Sequence, residues 1–163
     1  MKHIFLFLAF SLFFISCNNN ETLTDEDTYS YTFKDKSALI ISSEETSYMK
    51  YGAVETGENL VFEYRYDKDD VELIADDEYS EYLQFEINSA LDEFSYATDE
   101  ISNIDIVFSK VCYCYFPFDA QKDNSPTGTI SGKKISNTMW NIKIEMTFYG
   151  SDTRIIEENF NLE

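Results

Sequence analysis

The sequence predicts an all-β protein, either an antiparallel β-sandwich or a compact barrel of about seven strands. Seven short runs are rich in Tyr, Phe, Ile, Val and Thr, and most of them alternate apolar with polar residues. Alternation with a period of two is typical of strands that bury one face. Residues 90–102 are the exception, because their apolar spacing fits a helix as well as a strand followed by a loop.

The predicted strands follow one another along the chain at 37–43, 59–66, 81–88, 104–118, 127–136, 139–149 and 154–162. The clearest alternation lies in 139–149, where one face is formed by Trp140, Ile142, Ile144, Met146 and Phe148. The run 104–118 is apolar on both faces, as a central strand would be. The "GSD" at 150–152 predicts a tight hairpin, so the last three runs should form an antiparallel meander.

The first residues, "MKHIFLFLAFSLFFISC", have the order of a secretory signal. Lys2 supplies the positive start, 4–15 is an apolar run broken only by Ser11, and Ser16 is small. A helix needs roughly 20 apolar residues to span a bilayer, and this run is shorter. We therefore predict a signal peptide over residues 1–16.

The stretch "FISC" resembles the lipobox of bacterial lipoproteins, with Ile15 and Ser16 in the usual positions and Phe14 in place of the usual Leu. This resemblance implies that Cys17 is lipidated and becomes the first residue of the mature protein. It also implies sorting to the outer membrane, because Asn18 rather than Asp follows the cysteine. Acyl chains that each contribute about 0.8 kcal/mol per buried methylene would hold the protein there. The "CNNN" start is similar to small lipoproteins of the Bacteroidota.

Two further segments follow the predicted signal peptide. Residues 17–36 are polar and acidic, with apolar residues too sparse to offset the entropy of ordering, and they predict a flexible tether. Residues 37–163 have the length of one domain and predict a single β-rich domain.

Composition excludes several functions. The net charge of −19 disfavours a nucleic-acid partner and direct adsorption to an anionic lipid surface. His3 is the only histidine and would leave with the signal peptide, which excludes His-dependent nucleophiles and His-based metal sites. The five glycines are scattered rather than gathered into a phosphate-binding loop. We expect no catalytic residues, no cofactor and no resident metal.

The acidic segment 67–81 partly resembles an EF-hand calcium loop. Read from its first residue, Asp69 takes the third position and Glu78 the twelfth. Val71 occupies the fifth position, which should be a ligand, and Glu72 replaces the glycine of the sixth. We interpret the segment as a solvated connector, with calcium binding as the alternative.

Two functions remain open. The first is a non-catalytic binding or interaction module, anchored to the membrane through Cys17, that presents tyrosines to an envelope protein or a glycan. The second is a structural or stress-related envelope lipoprotein. An exposed aromatic patch would favour the first, and a flat polar surface the second. The tyrosines in question also fit ordinary packing between strands; they are Tyr48, Tyr51, Tyr64, Tyr66, Tyr113 and Tyr115.

Cys112 and Cys114 lie one residue apart in "KVCYCYF". In an extended strand their Cα atoms would be about 6.6–6.8 Å apart, whereas a disulfide prefers about 5.5–6 Å. We therefore predict two reduced, buried thiols that share a face with Lys110 and with Phe108, Phe116 and Phe118. A disulfide would require the strand to bulge at Tyr113.

Overall fold

The computed structural model describes residues 26–69, 77–117 and 125–163. These residues form nine strands: β1 (Thr28–Ser43), β2 (Lys50–Thr56), β3 (Asn59–Asp67), β4 (Tyr79–Ile87), β5 (Glu93–Ala97), β6 (Ile106–Cys112), β7 (Thr127–Ser136), β8 (Met139–Phe148) and β9 (Asp152–Leu162). One 3-10 turn, Ile101–Asn103, is the only helical element in these three ranges. The predicted all-β class is confirmed.

All nine strands belong to one sheet with the order β5-β7-β8-β9-β1-β3-β4-β6, and β2 pairs with β1 outside this order. Every pairing is antiparallel except that of β1 with β9, which is parallel over Thr32↔Asn161 and Phe33↔Leu162. The sheet is not closed, because β5 and β6 stand at opposite ends of the order. The arrangement fits a sandwich or an open sheet, and the compact barrel is not shown.

An aromatic core fills the space between the two halves of the sheet. The ring of Phe62 on β3 lies 5.5 Å from that of Trp140 on β8 and 6.0 Å from that of Phe160 on β9. All three side chains are at most 1% exposed. Burying a side chain of this size contributes about 1.5–3 kcal/mol relative to leaving it exposed, so this contact holds β3 against β8 and β9.

The strand β1 is longer than the sequence indicated. It begins at Thr28, so residues 28–36 belong to the sheet, and the tether boundary predicted at residue 36 lies too late. Tyr29, Tyr31 and Phe33 alternate as in a strand, but the many polar and acidic residues around them led to the prediction of a tether.

Beyond Ser37, β1 pairs with β2 to form a two-stranded arm. The pairing of β1 with β3 shifts register just before this point, where Lys36 has a φ of 52°. Leu39 of the arm packs against Val61 of β3 and Val107 of β6 in a second, smaller apolar cluster. Val61 and Val107 point away from the main core, so the arm covers part of the outer face of β3, β4 and β6.

Two of the nine strands were not predicted. No residue of β2 is fully buried, and the strand contains Gly52, so it lacks a clear apolar alternation. Residues 90–102, left open between helix and strand, form the short β5 and the 3-10 turn. The predicted run 104–118 is a strand only as far as Cys112.

The predicted meander of the last three runs is confirmed, since β7 pairs with β8 and β8 with β9 in antiparallel register. The turn between β8 and β9 runs from Phe148 to Ser151, whose N–H donates to the Phe148 carbonyl at 3.1 Å. Tyr149 and Gly150 both have positive φ, of 52° and 72°. Two successive positive φ values define a type I′ turn, which matches the twist of the flanking strands.

Candidate functional site: the tyrosine-lined end of the sheet

The inward face of β1, β3, β4 and β6 changes character from the core towards one end. Cross-strand register places Phe33, Phe62 and Phe85 in one row; the next row is Tyr31, Tyr64, Leu83 and Phe108; the last is Tyr29, Tyr66, Glu81 and Lys110. Successive rows are two residues apart, so they share a face. The first row therefore contains only phenylalanines, the second contains tyrosines beside apolar residues, and the third contains tyrosines beside charged residues. We call the second and third rows the tyrosine-lined end.

An arginine from β9 pairs with the glutamate of the last row. Arg154 Nε donates to Glu81 Oε2 at 2.8 Å, and the other guanidinium nitrogen of the fork donates to Glu81 Oε1. The carboxylate also accepts from the Tyr79 hydroxyl. The guanidinium stands 4.5 Å from the ring centroid of Phe108. Burial lowers the pKa of Arg154, but the hydrogen bond and charge of Glu81 outweigh it and leave that pKa raised.

A second ion pair joins the same strands. Lys110 of β6 pairs with Asp152 of β9, and the two side chains are only 16% and 17% exposed. Lys110 shares a face with Phe108, as predicted, and its Nζ lies 5.8 Å from that ring centroid. The ammonium is therefore satisfied by Asp152 rather than by reaching past its neighbours to open solvent.

The tyrosines of this end contact one another and the neighbouring Tyr79. The ring of Tyr66 lies 5.0 Å from that of Tyr29 and 6.1 Å from that of Tyr79. The Tyr66 hydroxyl donates to Asp27 Oδ2 at 2.8 Å. Burial and this hydrogen bond raise the pKa of Tyr66 to about 12. Burial also raises the pKa of Tyr64, and burial together with Glu81 raises that of Tyr79.

The acidic segment 67–81 adjoins this end, and residues 70–76 within it lie outside the described residues. Asp67 is already engaged, since it accepts hydrogen bonds from Arg65 at 3.0 Å and from Ser80 at 2.6 Å. Burial would raise its pKa, but these two donors outweigh that effect and the pKa is lowered. Within the ranges that the structure covers, no group of three or more potential ligands is placed to hold a metal ion. The calcium alternative stays a prediction.

Our prediction of two reduced, buried thiols is wrong. Cys112 and Cys114 form a disulfide with a Cα–Cα distance of 5.1 Å. The strand β6 ends at Cys112 and the chain bends at Tyr113, which shortens the distance that an extended strand would impose. Cys114 is exposed and Cys112 is half-buried, so the pair lies beyond the core rather than in it.

The disulfide closes a short turn that carries two exposed tyrosines. Tyr113 and Tyr115 are 86% and 82% exposed, and we call residues 112–115 the tyrosine turn. The next residue, Phe116, anchors this turn, because its ring lies 5.8 Å from that of Tyr48. A β-bridge between Ser47 and Pro117 fixes the same point.

Sequence reasoning brought some of these residues together and missed others. Tyr64 and Tyr66 lie in the predicted strand 59–66, and Tyr113 and Tyr115 were recognised as candidate contact residues. The Arg154–Glu81 pair was missed. Glu81 lies two residues before the buried Leu83 on the same strand face, and Arg154 lies two residues before the buried Ile156 on another strand. A charged residue at an inward-facing position is the signal that would have revealed this pair.

Comparison of the chain with protein-family models, with curated proteins and with solved structures gave no match. None of the described residues forms a helix long and apolar enough to cross a bilayer. Residues 1–25 lie outside the described ranges, so the signal peptide over 1–16 and lipidation of Cys17 stay predictions.

Proposed function

We propose that this protein is a lipid-anchored, non-catalytic binding module of the bacterial cell envelope. Acyl chains on Cys17 would hold it at the outer membrane, and an antiparallel β-sandwich would present the tyrosine turn to a glycan or to another envelope protein. The single observation that carries this proposal is the exposure of Tyr113 and Tyr115, at 86% and 82%, on a disulfide-closed turn.

Two exposed tyrosines on a restrained turn are well suited to binding. A tyrosine combines an apolar ring with a hydroxyl that can hydrogen-bond, which is why tyrosines are enriched where proteins contact partners. The disulfide and the anchored Phe116 restrict the turn before any partner arrives. Such preorganisation reduces the entropy lost on binding and so favours affinity.

The charged groups of the tyrosine-lined end support a non-catalytic assignment. Glu81 pairs with Arg154, and Lys110 pairs with Asp152. These two ion pairs connect β9 to β4 and β6. Because the four side chains are paired with one another, they are poor candidates for proton transfer to a substrate. The aromatic character of the tyrosine turn also favours this proposal over a purely structural or stress-related envelope lipoprotein.

The proposal can be tested with one double variant and one control. The lipidated protein and its Tyr113→Ala/Tyr115→Ala variant are compared for retention on immobilised polysaccharides and for chemical cross-linking to envelope proteins in intact cells. Loss of the two rings should weaken retention or cross-linking by about tenfold or more. Ile155→Ala serves as the control, because Ile155 is 76% exposed on β9. A double variant that binds like the parent protein would refute the role of the turn.

A further inference from the structure

A pocket of about 200 Å³ lies between the arm and the outer face of β3, β4 and β6. Its lining consists of Tyr51, Gly52, Glu63, Tyr82, Gln84, Ser109 and Val111. The lining residues of β3, β4 and β6 point away from the main core, since they alternate with the buried inward residues of the same strands. Tyr51 of β2 lines the pocket and also packs against the main core. The pocket therefore belongs to a different face from the tyrosine-lined end.

Gly52 determines how closely the arm approaches the sheet. A Cβ atom at Gly52 would lie 2.0 Å from Gln84 Oε1 and 2.9 Å from Val107 Cγ1, so any side chain would push the arm away. Gln84 is only 5% exposed, and its Nε2 donates to Glu63 Oε2 at 2.7 Å. The close approach of Gly52 and the hydrogen bond to Glu63 hold the Gln84 side chain in place at the base of the pocket.

Several polar groups around the pocket have no hydrogen-bond partner among the residues that the structure describes. Ser109 is 3% exposed and its Oγ is unpaired. The hydroxyls of Tyr51 and Tyr82 and the second carboxylate oxygen of Glu63 take part in none of the hydrogen bonds formed by these residues. An unpaired polar group that loses water costs free energy, so this lining favours an occupant that supplies both donors and acceptors.

The size and charge of the pocket define that occupant. A volume of about 200 Å³ is below the range of roughly 300–1,000 Å³ for drug-sized ligands and corresponds to roughly six or seven waters. The lining contains one carboxylate and no cationic side chain, which disfavours an anion. The guanidinium of Arg65 stands over the Tyr82 ring, 5.3 Å from its centroid. The opposite face of that ring and the Tyr51 ring remain to contact the C–H groups of a saturated ring.

We propose that this pocket binds one neutral pyranose unit of a glycan. The ring hydroxyls would donate to Glu63 and exchange hydrogen bonds with Gln84 and Ser109, while Tyr51 and Tyr82 contact the apolar face of the sugar. The proposal rests on residues of the pocket alone, so it holds or fails separately from the tyrosine turn. If both proposals are correct, the two sites adjoin at Val111, because this residue lines the pocket and lies two residues before Tyr113 of the tyrosine turn.

The experiment uses the full-length lipidated protein in a detergent without a sugar headgroup. Methyl pyranosides of glucose, galactose, mannose and N-acetylglucosamine are titrated separately, and binding is followed by saturation-transfer NMR and tyrosine fluorescence. We expect at least one of them to bind with a dissociation constant in the millimolar range. Sulfate at the same concentration should not compete.

Two variants test the location of the site. Val111→Trp should fill the pocket mouth, and the fold should tolerate it because Val111 is 51% exposed. Glu63→Gln removes the charged acceptor with almost no change in shape. Each should weaken pyranoside binding by about tenfold or more, whereas Ile135→Trp, which adds the same ring at a site that is 58% exposed on β7, should not.

The outcomes separate this pocket from the tyrosine turn. The Tyr113→Ala/Tyr115→Ala variant should keep its pyranoside binding, even if it loses a larger glycan or a protein partner. The proposal is overturned if no pyranoside binds the parent protein, or if binding persists unchanged in either Val111→Trp or Glu63→Gln.

Discussion

Arg154 Nε donates to Glu81 Oε2 at 2.8 Å and thereby joins β9 to β4 across the interior of the sheet. The two side chains are 22% and 8% exposed. Removing one partner of such a buried pair leaves an uncompensated charge, which costs about 3–5 kcal/mol. The pair therefore constrains how the two halves of the sheet face each other at the tyrosine-lined end.

We predict that Arg154→Met lowers the free energy of unfolding by about 3–5 kcal/mol, because Glu81 remains buried without its partner. The double variant Arg154→Met/Glu81→Leu should recover most of this loss, since two apolar side chains leave no buried charge. Urea denaturation followed by tryptophan fluorescence measures both.

Lys143→Met is the matched control for this prediction. Lys143 pairs with Glu157 at 2.8 Å, but the two side chains are 59% and 61% exposed. Exposed pairs contribute about 0–1 kcal/mol. A loss in Arg154→Met no larger than that in Lys143→Met would show that the buried pair does not stabilise the fold.

The sequence was sufficient to predict the strands that contribute most to the core. The alternation predicted from Trp140 to Phe148 matches the alternating burial of the side chains in β8. In β3, Leu60, Phe62 and Tyr64 are buried in the main core, and Val61 is buried on the opposite face beneath the arm. Register between distant strands could not be predicted, because alternation identifies a face but not the neighbour that each residue meets. For this reason the row of Tyr29, Tyr66, Glu81 and Lys110 became visible only in the structure.

The error at the cysteines has a local cause. The apolar run 104–118 indicated a continuous strand, and strand geometry then argued against a bond between Cys112 and Cys114. The strand actually ends at Cys112, and the sequence between Lys110 and Phe116 contains no glycine or proline to signal that end.

We predict that denatured protein, alkylated without reductant, is labelled at neither Cys112 nor Cys114, because both sulfurs are in the disulfide. The Cys112→Ser/Cys114→Ser variant should lose no more than about 1.5 kcal/mol of unfolding free energy, since the closed loop is very short. Peptide mapping by mass spectrometry distinguishes the two states. Labelling of both cysteines before reduction would restore the interpretation of free thiols.

Lipidation of Cys17 is tested by intact-mass analysis of membrane-extracted protein. We expect the mass of residues 1–16 to be absent and a lipid increment to be present on Cys17. Cys17→Ser should abolish both processing and anchoring, because the serine hydroxyl cannot form the thioether. A Cys17→Ser protein that still fractionates with the outer membrane would contradict the prediction.

Calcium should have little effect on stability. If the segment 67–81 is a solvated connector, millimolar calcium at matched ionic strength should leave the melting temperature nearly unchanged, because no ligand binds the native state preferentially. Asp67 is already bonded to Arg65 and Ser80, which removes one candidate ligand. A clear rise in melting temperature that disappears in Asp69→Asn or Glu78→Gln would instead support a calcium site.

The buried tyrosines predict a loss of stability at alkaline pH. Burial raises the pKa of Tyr149 to about 12, and the pKa values of Tyr64 and Tyr79 are raised as well. A tyrosine in the unfolded chain titrates near pH 10. The unfolded state therefore releases these protons first, so the stabilisation is complete below about pH 10 and declines as pH rises towards and beyond 12.

Tyr149→Phe tests this dependence at one residue. The Tyr149 hydroxyl donates to the Phe108 carbonyl at 2.6 Å and accepts from the Lys50 N–H at 3.2 Å. The variant should lose about 0.5–1.5 kcal/mol per hydrogen bond at neutral pH. Its unfolding free energy should fall less steeply than that of the parent between about pH 10 and about pH 12, because one coupled proton is gone. Urea titrations across this interval measure the two slopes, and equal slopes would show that Tyr149 does not contribute to the alkaline transition.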